Sequence, residues 1–247
     1  MINANALQRC SLILLLLTWI QGCEITALVD AADRLGGSTK PSVVGEPISK
    51  NDISQAFKEA LRIGSENVSL RLGVNDAFNG DPEIRIPLPP DLERLGSVMH
   101  KAGLGAMVDD FEVKLNRAAE RAAPLVKDVF LKAITEMTFS DIRRIYNGPD
   151  DAATLYFQQK TSTALKNTIK PIVDDSLSKV GAIQSYDRVI SKYGALPFVP
   201  HVKADISGHV VDRTLTGVFH YLAVEEAAIR RNPARRTTEL LKRVFGA

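Results

Sequence analysis

Apolar side chains recur at three- and four-residue steps over much of the chain, and the clearest run is Phe111, Leu115, Ala118, Ala122, Leu125, Val129, Ala133 and Met137. Glu112, Lys114, Arg117, Glu120, Arg121, Lys127, Asp128, Lys132 and Glu136 fall mostly off that stripe. This division predicts an amphipathic helix near the middle of the chain, with the rest packed around it. Pro124 interrupts the run. It lacks an amide donor and its ring crowds the carbonyl of Glu120, so a kink or break is expected there.

The same spacing predicts further helices on both sides. Ile53, Phe57, Ala60, Leu61, Gly64, Val68 and Leu72 form one, with Gly73 as its cap. Gly80, Pro82, Pro87, Pro89 and Pro90 then forbid a long helix, while Ile84, Ile86 and Leu88 alternate, which predicts a long loop with at most one short β pair near 83–88. Asp91 opens a short helix closed by Gly103. Thr138 and Asp141 have capping-box spacing, with Met137 and Ile142 as the apolar staple of a helix ending at Gly148. Pro149-Asp150-Asp151 opens a long helix to Gly181 with Pro171 inside it, and Tyr186, Val189, Ile190 and Tyr193 mark another. Val211, Leu215, Val218, Leu222 and Ile229 mark a late long helix, and Asn232-Pro233 starts a last one carrying Leu240, Leu241, Val244 and Phe245. No internal period emerges.

Composition agrees with packed helices: 45% of residues are apolar but only 6% aromatic. The fold class expected is therefore all-α, a bundle-like single domain with kinked helices over residues 51–247.

The first residues stand apart. MINANALQRCSLILLLLTWIQGC has a polar start with Arg9, an apolar run too short to span a bilayer, then Gly22-Cys23. Residues 1–22 read as a signal peptide, and Ile20, Gly22 and Cys23 resemble a bacterial lipobox. In that resemblance Cys23 carries a diacylglycerol on its sulfur and an acyl chain such as palmitate on its amine. An ordinary signal peptide, or an uncleaved anchor with an incidental cysteine, is the plainer alternative. Residues 23–50, rich in Gly, Ser and Pro from Gly36 onward, read as a lipidated N-terminus and a tether. Cys10 and Cys23 are the only cysteines, so the mature domain would have no free thiol and no disulfide. Loss of Arg9 turns 31 basic against 29 acidic residues into 30 against 29, and without a basic block a nucleic-acid partner is not expected.

LNRAAERAAPLVKDVF, ITEMTFSDIRRIYNGPDDAATLYF, IKPIVDDSL and IRRNPARRTTELLKRVFG resemble the bacterial domain-of-unknown-function 4197 family. The resemblance covers roughly Asn51 to the C-terminus. It implies an exported, helical, mostly single-domain bacterial protein, often with a lipoprotein-type leader, and it implies no activity.

Candidate chemistry is sparse. His100, His201, His209 and His220 have no metal-ligand spacing, since His209 and His220 lie three helical turns apart, so no metal and no cofactor is expected. Asp109-Asp110, Asp150-Asp151, Asp174-Asp175 and Glu225-Glu226 are neighbours that diverge on a helix, and no nucleophile elbow or phosphate loop occurs. Glu225 is the exception. It falls on the apolar stripe between Leu222 and Ile229, where an ionised carboxylate needs a partner, and Arg117, Arg230 or Arg236 would serve, with Asn116 and Glu120 beside Pro124 joining the cluster.

The function expected is a lipid-anchored envelope protein at the periplasmic face of the outer membrane, since Glu24 is not the aspartate of an inner-membrane retention signal. Its role would be non-enzymatic binding or structure, with an envelope protein as a possible partner. An enzyme using the carboxylates and arginines near Pro124, and a carrier of apolar ligands, are the alternatives.

Overall fold

The computed structural model describes residues 49–197, 203–232, 238, 239 and 242. All belong to the compact unit Pro47–Ala247, which is distinct from Met1–Glu46. The described residues are helical, with no strand among them: α1 Lys50–Leu72, α2 Pro90–Lys101, α3 Gly105–Ala122, a single 3-10 turn Ala123–Leu125, α4 Val126–Glu136, α5 Phe139–Tyr146, α6 Ala152–Lys179, α7 Ala182–Gly194 and α8 Ile206–Arg231. No helix among them is long and apolar enough to cross a membrane. Cys23 and the leader, as well as Pro233, Leu240, Leu241, Val244 and Phe245 of the last expected helix, lie outside the described residues.

The helix boundaries follow from local chemistry. Ser49 Oγ accepts from the Asp52 amide at 3.1 Å while Asp52 accepts from the Ser49 amide at 3.0 Å, a reciprocal cap on α1. The same box at α5 joins Thr138 and Asp141, as their spacing predicts. Pro124 breaks the central run where expected, turning α3 into α4 through the 3-10 turn. Ala118, Ala119, Ala122 and Ala123 are fully buried there, and their small side chains let neighbouring backbones approach. Pro171, by contrast, is exposed within an unbroken α6. Gly103 and Gly181 adopt φ of 74° and 75°, in the left-handed region that glycine enters without a Cβ penalty.

α6 lies along α8 and α3, α1 packs on α8 and α4, and α7 closes against α3. Three of the aromatics meet where α4, α6 and α8 come together: the Phe130 ring sits 5.4 Å from Phe157 and 6.0 Å from Phe219. Such pairs add stabilisation beyond the area they bury.

The expected β pair near 83–88 is not present. Ile84, Ile86 and Leu88 do alternate inward, but no strand pairs with them: Ile84 lies at Gly217 of α8, Leu88 at Gly96 of α2, and the Ile86 backbone bonds to Asn116 of α3. Pro87, Pro89 and Pro90 have no amide donors for a ladder; the Ile84 and Arg85 amides turn back to the Asp81 carbonyl, and side chains meet the amides of Ile86 and Leu88 and the carbonyls of Ile86 and Pro87.

Candidate functional site

Three places gather polar chemistry, and the first is a row on α3. Glu112, Asn116 and Glu120 lie one turn apart and point at the loop between α1 and α2. Asn116, fully buried, accepts from the Ile86 amide at 2.8 Å, and its amide nitrogen donates to the carbonyls of Ile86 at 2.9 Å and Glu112 at 2.8 Å. Glu112 accepts from the Leu88 amide at 3.2 Å. Glu120 accepts from the amides of Phe78 and Asn79 on one oxygen, at 3.1 and 3.4 Å, and from Arg117 at 2.7 Å on the other. Arg117 also reaches Asp76 at 2.7 Å. The row thus acts as a surrogate strand, satisfying a loop backbone that would otherwise be buried with orphan groups. His209 on α8 completes it by donating from Nε2 to the Pro87 carbonyl at 2.9 Å. Burial holds the His209 imidazole below its usual value, against the opposing effect of that bond.

The second place corrects the expectation for Glu225. Glu226, not Glu225, is the buried carboxylate of α8. Its Oε1 accepts from the Ala153 amide at 2.9 Å and from Arg230, and its Oε2 accepts from the amide and hydroxyl of Thr154 at 2.9 and 3.0 Å. It therefore caps the first turn of α6 from another helix, where a negative charge suits the helix dipole. Arg230 also donates to the Ile145 carbonyl at 2.9 Å, tying α5 into the same joint. Glu225 is half-buried and faces α1, where Asn67 donates to it at 3.4 Å. Steps of three and four from Leu222 rotate by about −60° and +40° on a helix, so both residues border the stripe. The position of α6 decides between them.

The expected single cluster is therefore two: Asn116, Arg117 and Glu120 under the loop, and Glu226 with Arg230 at the α6 start. Arg236 lies outside the described residues. Beside the second cluster, the space enclosed by Phe57, Ala60, Leu61, Leu222 and Ile229 amounts to about 30 Å³. That is room for a water or two, against roughly 300–1,000 Å³ for a ligand pocket.

A third set, unsignalled in the sequence, centres on buried Ser185. Its hydroxyl donates to Asp110 at 2.5 Å and accepts from Lys114 at 2.8 Å and Arg188 at 2.9 Å. Lys114 also donates to Asp110 at 2.7 Å. Lys170, Asp174 and Ser207 repeat the arrangement between α6 and α8. No group of three His, Cys, Asp or Glu among the described residues is placed to hold a metal.

The outer side of α5 differs from all of these. Phe139 and Tyr146 are 37% and 46% exposed, and the Tyr146 ring stands edge-on to Phe57 of α1 at 6.3 Å. Ser140, Arg143, Arg144 and Asn147 complete the surface with Phe139 around a shallow concavity. Arg143 forms no ion pair with any described residue, and Arg144 holds Asp141 at 2.8 Å while remaining 70% exposed. Lys50, at the start of α1, places its ammonium 5.9 Å above the Phe139 ring.

A family model described as "protein of unknown function (DUF4197)" matches residues 47–246. No curated protein and no solved structure matches the chain.

Proposed function

Because the chain belongs to the DUF4197 family, whose description assigns no activity, we propose from its own residues that it is a lipid-anchored, non-enzymatic module of a bacterial envelope. In this reading Cys23 is the acylated first residue of the mature protein, residues 23–50 are the tether, and the helical domain is held at the periplasmic face of the outer membrane.

The observation that carries the non-enzymatic part is where the buried polar groups end. Both oxygens of Glu226 are filled by two backbone amides, an arginine and a threonine of the same chain, and Glu120 is already engaged by two backbone amides and Arg117. A general acid or base needs a lone pair free for substrate within hydrogen-bond reach. These carboxylates instead fix a loop and a helix start, while exposed aromatic rings and cations lie together outside, on α5. Such a division suits a rigid body that presents a surface.

The anchor is tested by intact mass and fractionation. The native protein should begin at Cys23 with added lipid mass and remain with membranes, and Cys23→Ser should be unacylated and leave the membrane fraction. A mature N-terminus elsewhere, without lipid, overturns the reading.

A further inference from the structure

We propose that the outer face of α5, together with Lys50, is a docking surface for anionic phospholipid, the side on which the anchored domain lies down on its membrane; the inference rests on the lipoprotein reading above. Phe139, Arg143 and Tyr146 stand at helical steps of four and three, so they project from one side of α5. Ser140, Arg144 and Asn147 flank them. Ile142 and Ile145, rotated by about 60° and 120° from Phe139, are buried, so the two rings stand at the edge of the buried side and the cations lie beyond them. The face therefore combines two exposed rings with cations, the composition that favours the boundary between lipid headgroups and acyl chains.

Charge complementarity points to an anionic surface. Lys50, Arg143 and Arg144 are exposed, whereas the carboxylate of Asp141 is turned inward, only 19% exposed, and engaged by Thr138 as well as Arg144. A basic residue at an anionic leaflet contributes about fivefold to partitioning, so the net two charges left after Asp141 offsets Arg144 give on the order of 25-fold. That is weak for a free protein. A tether raises the effective concentration to the millimolar range, where a weak contact suffices.

The exit of the chain supports the same orientation. The described structure starts at Ser49, and Lys50 lies against Phe139, so the segment leading back to Cys23 leaves the domain beside this face. The intervening stretch of about 25 residues reaches at most ~90 Å. That reach lets other faces approach as well, so selection among them falls to the rings and cations of this one.

The test uses the lipidated full chain reconstituted into phosphatidylethanolamine–phosphatidylglycerol vesicles containing nitroxide lipid. With Cys10 removed and Cys23 acylated, a thiol introduced by Asn147→Cys is unique and takes a fluorescent dye. Ser97→Cys serves as reference, being exposed on α2, which packs against α3 and α7. Quenching should be several-fold stronger at position 147 than at 97. It should weaken in phosphatidylcholine vesicles and at high salt, and fall to the level seen at position 97 in Arg143→Ala/Arg144→Ala with an unchanged melting temperature. Equal quenching at both positions overturns the proposal, because the anchor alone then holds the domain. Retention on isolated peptidoglycan that is lost in the double variant, with lipid quenching unchanged, overturns it in favour of a cell-wall partner. Intact mass of the same preparation reports acylation separately. An unacylated chain sinks the anchor, while quenching of Cys10→Ser/Cys23→Ser/Asn147→Cys, whose introduced thiol is again unique, on added vesicles still decides the face.

Discussion

Glu226 concentrates three tasks in one carboxylate: it neutralises Arg230, caps α6 through two amides, and accepts from the Thr154 hydroxyl. Removing it leaves Arg230, whose side chain is only 15% exposed, without its counter-charge, and it uncaps a helix start in the core. Glu226→Ala should therefore cost about 3–5 kcal/mol, the range for breaking a buried pair. Glu225→Ala, at a half-buried site with a long bond from Asn67, should cost about 1 kcal/mol or less. Denaturant midpoints of the two variants measure the contrast, and equal losses would contradict the assignment of roles. The sequence makes a buried carboxylate in this pair legible, because two acidic residues interrupt an apolar stripe. It does not decide which one, since the choice depends on where α6 begins in space.

The helices themselves were legible because their signals are local. The Thr138–Asp141 box, the break at Pro124 and the apolar steps of α1 and α8 involve residues within a few positions of one another. The loop between α1 and α2 was not legible in the same way. Alternation at Ile84, Ile86 and Leu88 carries only the information that one side is buried, and a row of side chains on α3 supplies the partner that a strand would otherwise provide. Nor did spacing reveal the fit between α1 and the 3-10 turn. A Cβ at Gly73 would stand 2.6 Å from Cγ of Pro124 and 3.2 Å from the Ser69 carbonyl, so the end of α1 docks directly on the proline ring. Gly73→Ala should destabilise by about 1–3 kcal/mol through that overlap. Pro124→Ala should recover part of the loss, giving a favourable coupling of about 0.5–1.5 kcal/mol in a double-mutant cycle. Simple additivity of the two substitutions would mean that α1 moves aside and the close fit is not a constraint.

At the scale of the whole molecule, charge is nearly balanced and the ionised groups act as local ties, so stability should follow pH in two separate steps. The first belongs to His209. Burial lowers its value and nearby Arg213 lowers it further, while the Pro87 bond, Asp212 and Asp205 oppose, and the net direction is below the ordinary 6.5. A group depressed in the folded state contributes stability that is complete above its unfolded value and lost as pH falls through the folded one. The melting temperature should accordingly be flat near pH 7.5 and decline below about 6.5. His209→Gln, which has no proton to gain, should remove that decline. The second step belongs to carboxylates. The Tyr221 hydroxyl lowers Asp81, the Thr138 hydroxyl lowers Asp141 and the Ser207 hydroxyl lowers Asp174; for Asp110, burial pushes upward but Lys114 and Ser185 outweigh it. Each stabilises the fold while ionised, above an unfolded value near 4, and loses that contribution as pH falls further. These groups tie the α1–α2 loop to α8, cap α5, join α6 to α8 and join α3 to α7, so protonation loosens several helix contacts together. Melting curves from pH 7.5 to 2 should show an upper step erased in His209→Gln and a steeper lower step made shallower in Asp141→Asn. An upper step that persists in the histidine variant would place the titration on another group, and a lower step unaffected by Asp141→Asn would remove the α5 cap from the set of acid-sensitive ties.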